Sequence, residues 1–196
     1  MEVFTLPLGA FQTNCYVVQP EEQNRCILVD PGYEAAKILL FLEEKDLTPE
    51  AILLTHGHFD HVGAVRELAE KTGCPVYLHP EDTSMPAELT GGPLYYTHPL
   101  QKGQTLSLAG MEIGVLHTPG HTPGSVCFAI GELLFTGDTL FAGTCGRTDL
   151  PGGSFATITR SLAGLRQLQT DYRVFPGHGS ATTLEREKAA NPYLRG

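Results

Sequence analysis

Thr55-His56-Gly57-His58-Phe59-Asp60-His61 concentrates three histidines and a carboxylate in six consecutive positions. Imidazole and carboxylate together suit zinc, iron(II) or manganese better than an ion that prefers thiolate. The flanks say where such a cluster sits. Ala51-Ile52-Leu53-Leu54 is a short apolar run after Pro49 and reads as a buried strand. Beyond His61, Val62, Val65, Leu68 and Ala69 share one helical face, and Gly73 stands where a helix would end. The cluster therefore occupies the turn from the carboxyl end of a strand into a helix, where open α/β sheets form their sites. Alternation puts His56 and His58 on one side of the extended segment, while Asp60 and His61 continue round the bend. Four residues fanned across a turn fit two neighbouring ions better than one tetrahedral ion.

Three later segments supply further ligands. Thr118-Pro119-Gly120-His121-Thr122-Pro123-Gly124-Ser125 is a stiff Pro/Gly loop centred on one histidine. Leu133-Leu134-Phe135-Thr136-Gly137-Asp138-Thr139 is an apolar strand ending in a Gly-Asp turn. Val174-Phe175-Pro176-Gly177-His178-Gly179 is a short strand followed by a histidine between glycines. Each sets one ligand on a small-residue turn that lets the backbone come close to an ion. With the first cluster they make seven ligands for two ions.

This set, His56, His58, Asp60, His61, His121, Asp138 and His178, resembles the signature of the metallo-β-lactamase superfamily, over a span from Asp30-Pro31-Gly32 to His178. The resemblance implies a first ion on His56, His58 and His121, a second on Asp60, His61 and His178, and Asp138 bridging them. It also implies that Asp30 supports the site from behind the ligands, against the alternative of a plain Asp-Pro-Gly turn. The expected cofactors are two divalent ions, zinc before iron or manganese.

Length and charge narrow the class. The 196 residues are expected to form one catalytic domain, 1–196, with no linker or low-complexity tract dividing it. The net charge is −9, unsuited to nucleic acid. No apolar run points to secretion or a membrane. Cys15, Cys26, Cys74, Cys127 and Cys145 are odd in number and scattered, as expected of reduced thiols in a cytoplasmic protein.

Strands are expected at Val3–Leu6, Asn14–Val18, Arg25–Val29, Ala51–Leu54, Val76–Leu78, Thr105–Leu108, Met111–Leu116, Ser125–Ile130, Leu133–Phe135 and Arg173–Phe175. Helices are expected over Glu34–Glu44, after His61, and over Ser154–Gln169 and Leu184–Ala190. Residues 80–101 read as an irregular excursion. Periodicity alone gives a mixed α/β fold of two similar halves. The resemblance adds the αββα sandwich of two mixed sheets with outer helices.

Two close ions lower the pKa of a shared water, and one polarises a substrate carbonyl. Asp60 orients the bridging hydroxide and accepts its proton, so Asp60, His58 and Asp138 are the catalytic candidates. A thioester needs little more, because a thiol of pKa ~8.5 leaves without a general acid. Within the superfamily the chain looks like the short, single-domain form of glyoxalase II, the hydroxyacylglutathione hydrolases, which cleave S-2-hydroxyacylglutathione. The implied partner is a small-molecule thioester, a glutathione conjugate. Two departures stand out: the chain stops near Arg195, before the helical domain of the long forms, and Cys145-Gly146-Arg147-Thr148-Asp149 replaces their glutathione-contacting Lys and Tyr. Arg147 keeps the charge as a substrate-binding candidate, or simply pairs with Asp149. That same segment resembles the persulfide dioxygenases, which hold one iron through the equivalents of His56, His121 and Asp138. A metal-binding module without catalysis is the third reading. His79 and His98, each before a proline, read as surface-turn residues, and His117 as a packing or hydrogen-bonding strand residue. Tyr95, Tyr96 and Phe141 read as local packing.

Overall fold

The apolar run at β3 (Arg25–Val29) and that at β4 (Thr48–Leu53) are continuous rather than alternating, because both strands are covered on both faces. Ile27, Val29, Ala51 and Leu53 point one way, into a core shared with a second sheet. Leu28, Ile52 and Leu54 point the other way, under helices α1 (Ala35–Glu44) and α3 (Val65–Thr72), where they meet Ile38, Leu42, Val65 and Leu68. Full burial of such side chains is worth about 1.5–3 kcal/mol each. The computed structural model that shows this describes residues 1–21 and 23–195.

The first sheet runs β1-β2-β3-β4-β5-β6, with β1 (Glu2–Leu8), β2 (Thr13–Gln19), β5 (Val76–Leu78) and β6 (His98–Pro99). Its β1–β3 pairings are antiparallel and its β3–β6 pairings parallel. The second sheet contains β7 (Thr105–Leu108), β8 (Met111–His117), β9 (Val126–Ile130), β10 (Leu133–Gly137), β13 (Arg173–Pro176) and β14 (Thr182–Thr183). Its order is β14-β13-β10-β9-β8-β7, with β10 and β13 parallel. Val115, Val126, Phe128, Phe135 and Phe175 fill the space against the first sheet. On the outer face Cys127, Leu134 and Val174 lie under α5 (Phe155–Arg166) and α6 (Leu184–Ala190), against Ile158, Leu162, Leu165 and Leu184. Helices, sheet, sheet, helices is the αββα sandwich.

Local signals explain the boundaries. Ser154 caps α5 by accepting from the Thr157 amide at 3.3 Å, and Gly73 closes α3 in the left-handed conformation. The helix expected after His61 is split. A one-turn α2 (Phe59–Val62) ends at Gly63, and α3 restarts after Ala64, whose amide donates to Pro31 O at 3.1 Å instead of into a helix. The excursion over 80–101 is better ordered than expected. It carries a 3₁₀ turn (Pro80–Ser84), a one-turn α4 (Ala87–Thr90) and β6 on the sheet edge. A small hairpin, β11 (Leu140–Phe141) with β12 (Thr144–Cys145), and the two-residue β14 were not anticipated. Among the described residues no helix is long and apolar enough to cross a membrane.

All five cysteines are free thiols. Cys15, Cys26, Cys74 and Cys127 are buried, and burial pushes Cys26 and Cys127 up to about 12. Thiol titration of the native protein should therefore label Cys145 alone on the time scale of minutes, with the other four reacting only after denaturant is added. Rapid labelling of several cysteines in the native state would contradict this packing.

Candidate metal centre

Every candidate ligand leaves a strand end or strand connection at one edge of the sandwich. Residues 55–61 follow β4, Asp138 follows β10, His178 follows β13, and His121 sits in the β8–β9 connection. The turns are laced together by backbone bonds: Asn14 N–H donates to Gly177 O and Gly177 N–H to Gly137 O, both at 2.8 Å. Asn14 Nδ2 also donates to Pro176 O and Gly179 O, bracketing the His178 turn. Val126 N–H donates to Thr55 O at 2.8 Å, joining the two sheets beneath the site.

Four imidazoles have their Nδ1 committed. His61 Nδ1 lies 2.9 Å from Asp30 Oδ2, His121 Nδ1 2.8 Å from Arg147 O, and His178 Nδ1 3.2 Å from Phe11 O. Each of these partners is an acceptor, so each Nδ1 must donate. Thr55 Oγ1 gives its proton to Asp30 Oδ2 at 2.6 Å and therefore accepts from His56 Nδ1 at 3.1 Å. A neutral ring with Nδ1 protonated presents a lone pair at Nε2. In all four histidines that lone pair faces the centre.

Two clusters result. The donor atoms of His56, His58 and His121 lie within 4.8 Å of one another, as do those of Asp60, His61 and His178. Asp138 stands between them. Its Oδ2 is 3.5 Å from His121 Nε2 and 3.6 Å from His178 Nε2, and its Oδ1 is 3.5 Å from His61 Nε2. All seven side chains named from the sequence therefore converge. His58 Nδ1 faces His121 Nε2 at 2.9 Å, and His178 Nε2 faces Asp60 Oδ2 at 3.2 Å. The second pair is two acceptors, which repel unless positive charge lies between them, whereas His58 Nδ1 can donate to His121 Nε2 and so present its own lone pair at Nε2. Among the described residues, His56 Nε2, His58 Nε2, His61 Nε2 and Asp138 Oδ1 are buried without a hydrogen-bond partner. Orphaned buried acceptors are costly, and here they share one chamber, which fits divalent cations.

The electrostatics agree. Burial holds His56 well below its ordinary pKa, helped by the neighbouring His61 and His121. Burial and His121 bring His58 down to about 4. Burial opposes charge on His61, yet Asp138, Asp30 and Asp60 overcome it and raise the ring to about 9. Burial likewise works against an ionised Asp60, but His178, His61 and the Thr13 hydroxyl at 3.0 Å hold it below the carboxylate range. The same field that draws a proton to His61 draws a cation.

Other expectations divide. Asp30 does more than turn the chain. Buried and left-handed at φ 51°, it accepts from Thr55 N at 2.7 Å, from Thr55 Oγ1 and from His61 Nδ1. The Arg147 guanidinium is exposed and pairs with both Asp149 oxygens at 2.8 Å, while its carbonyl orients His121. His117 hydrogen-bonds Pro123 O at 3.0 Å, as expected of a strand residue. His79 is a correction: it is buried and stacks on His117, centroids 4.3 Å apart and 10° from parallel. With Glu81 they bring three donor atoms within 4.8 Å, but in-plane lone pairs of parallel rings run side by side and do not meet at one ion. His98 lies in β6 and stacks on Tyr77, so it too is not in a turn. Thr13, Thr55 and Asp82 were not singled out from the sequence. The hydroxyl of Thr55 inside the cluster was the one available signal, because Thr13 and Asp82 arrive from distant segments.

Asp30→Asn tolerates the left-handed backbone and so isolates the loss of the carboxylate. With one amide N–H₂ now facing a donor, we expect about 2–3 kcal/mol of destabilisation, or roughly 4–12 °C in Tm. Calorimetry of the chelator-treated protein measures it. An unchanged Tm would return Asp30 to an ordinary turn residue.

Comparison with known proteins agrees with this geometry. Residues 8–178 match the family model described as the metallo-beta-lactamase superfamily. The hydroxyacylglutathione hydrolase GloC of Haemophilus influenzae is 38% identical, covering 99% of this chain and 98% of its own. Among solved structures, the BLEG-1 B3 metallo-beta-lactamase superposes with a TM-score of 0.91 at 38% identity, covering both chains fully. TTHA1623 in a di-iron-bound form gives 0.86 at 43% identity, over 98% of this chain and all of its own. ETHE1 from Myxococcus xanthus gives 0.85 at 28% identity, over 98% of this chain and 84% of its own. With the fold, the ligand turns and a family match spanning most of its length in agreement, the chain belongs to the metallo-beta-lactamase superfamily.

Proposed function

We propose that residues 1–196 form a metal-dependent thioester hydrolase that cleaves S-2-hydroxyacylglutathione, such as S-D-lactoylglutathione, to a 2-hydroxy acid and glutathione. The observation that carries the reading is the position of Asp138 between two imidazole-lined clusters, each with lone pairs aimed inward. In this reading His56, His58 and His121 would hold one divalent ion and Asp60, His61 and His178 the other, with Asp138 standing between the two sets. When bound, the ions acidify water and polarise the acyl carbonyl.

The chain's own groups do the rest. Asp60 Oδ2 is engaged by Thr13 and faces His178, which fixes the carboxylate plane. Its Oδ1 is then free to orient the attacking water and take its proton. Two carboxylates set against five neutral imidazoles leave the loaded centre positive, which favours the oxyanion that develops at the acyl carbon. The departing thiol, of pKa ~8.5, leaves as thiolate with no acid required. Arg147 is exposed, and its pairing with Asp149 is solvated and therefore weak, little obstacle to a substrate carboxylate taking the fork. The similarity to GloC and the di-iron TTHA1623 supports the reading.

The likeness to ETHE1 and the Cys-Gly-Arg-Thr-Asp segment favour a second reading, persulfide oxidation at one iron bound by His56, His121 and Asp138. Against it, a single ion there would leave the buried Nε2 of His61 without a partner. Purified protein should hydrolyse S-D-lactoylglutathione with close to two metal equivalents per chain. Chelation should abolish turnover, and Asp60→Ala or His58→Ala should lower kcat/KM by two to four orders of magnitude. One iron per chain with oxygen uptake on glutathione persulfide would replace the hydrolase by the dioxygenase. Faster turnover of a β-lactam than of the thioester would overturn the substrate class.

A further inference from the structure

Asp82 is fully buried on the 3₁₀ turn Pro80–Ser84 and touches none of the seven ligands' side-chain nitrogens or oxygens through a hydrogen bond. Its carboxylate nevertheless meets both loops of the first cluster. Oδ2 accepts from Gly57 N–H at 2.7 Å, the peptide between His56 and His58. The same oxygen accepts from Thr122 Oγ1 at 3.0 Å, next to His121, and Oδ1 accepts from Gly124 N–H at 2.6 Å. Among the described residues, the hydrogen bonds joining segment 56–58 to segment 121–124 run through Asp82, apart from the His58–His121 ring contact itself.

The approach also explains Gly124. A Cβ on Gly57 would stand 3.2 Å from Asp82 Cβ and 2.8 Å from Leu94 Cδ1, and one on Gly124 would stand 2.7 Å from Asp82 Oδ1. The 121–124 loop gives up a side chain where this carboxylate enters, whereas at Gly57 the first obstacles are Leu94 and Met85. Three donors converging on one buried carboxylate need that geometry, since a displaced amide would be left unpaired. By contrast, the second cluster is held by other groups: Asp30 on His61, Phe11 O on His178 and Thr13 on Asp60.

We propose that Asp82 is a positioning residue that sets the spacing of the two loops carrying His56, His58 and His121, and so the affinity of that cluster for its ion. It acts on one cluster and not on the other. The inference rests on reading these three histidines as ligands of a single ion, and the test separates the two ideas.

Zinc titration against a competing chelator, with cobalt(II) absorption spectra as a second readout, gives the two stepwise affinities. Asp82→Ala should weaken one equivalent by about 10–100-fold and leave the other within about threefold of wild type. Asp82→Asn, which keeps the shape but turns an amide N–H₂ toward one donor, should show the same split to a smaller degree. Thr122→Val keeps Asp82 and its two amide bonds, and should give a split of a few-fold even if Asp82→Ala does not fold. A role confined to general stability would lower the Tm of the metal-free chain and move both affinities alike, and that result overturns the proposal. Two equivalents bound at wild-type affinity in all three variants would overturn it as well. Wild-type protein that binds no divalent ion would instead sink the metal reading, and the role of Asp82 with it.

Discussion

The centre is governed by where four imidazole protons go. His56, His61, His121 and His178 each donate from Nδ1 to a fixed acceptor, namely the Thr55 hydroxyl, the Asp30 carboxylate and the carbonyls of Arg147 and Phe11. That choice of tautomer turns four lone pairs inward, onto Asp60 and Asp138, and makes the chamber a concentration of acceptors shielded from water. No arrangement of the chain alone satisfies it. Positive charge has to enter, whether as protons on His61 and His178 or as cations. The anchoring acceptors lie outside the ring of converging side chains, so they fix orientation without competing for a cation that would enter.

The sandwich supplies those acceptors at the right place because its two halves are wound alike. β3 and β4 in the first sheet and β10 and β13 in the second run parallel, and each pair sends its following loops to the same edge. Tyr16, Phe135 and Phe175 pack edge-on and stacked directly between the sheets, with Tyr16 Oη donating to Pro176 O at 2.6 Å. The aromatic core therefore reaches the base of the His178 turn. Rigidity close beneath the ligands is what a site with tolerances of a few tenths of an ångström requires.

The seven converging side chains and most of the strands were legible because they depend on short-range signals: an apolar run, a glycine-bracketed turn, a histidine cluster. The parts that were not legible depend on contacts between distant segments. Helix α3 could not be known to restart at Val65, since the Ala64 amide is diverted by Pro31, some thirty residues earlier. β11, β12 and β14 are two-residue strands, too short to show a period. Asp82 sits in a stretch whose prolines and glycines read as loop, yet its carboxylate ties the loop of His56 and His58 to that of His121. His79 looked like a turn residue because proline follows it, and burial against His117 arises from tertiary packing alone. The layered architecture itself came from the family resemblance; mixed α/β was as far as periodicity reached.

Charge bears on what such a site would accept. The chain carries −9, so an anionic substrate approaches against the overall field, yet at physiological ionic strength that field decays over about 8 Å. What matters at contact is local: a positive centre once cations are in place, and Arg147 nearby through the carbonyl that orients His121. Its guanidinium is held by Asp149 in a fork of two bonds that any incoming carboxylate can reproduce. Exchange of one carboxylate for another costs little in water, whereas an uncharged substrate end would have to leave the pair intact and gain nothing from it. On the proposed hydrolase reading, a substrate that brings a carboxylate to Arg147 while its acyl carbon meets Asp60 and Asp138 would be favoured. Under that proposal, a thiol carrier with free carboxylates, such as glutathione, would meet both conditions in one molecule.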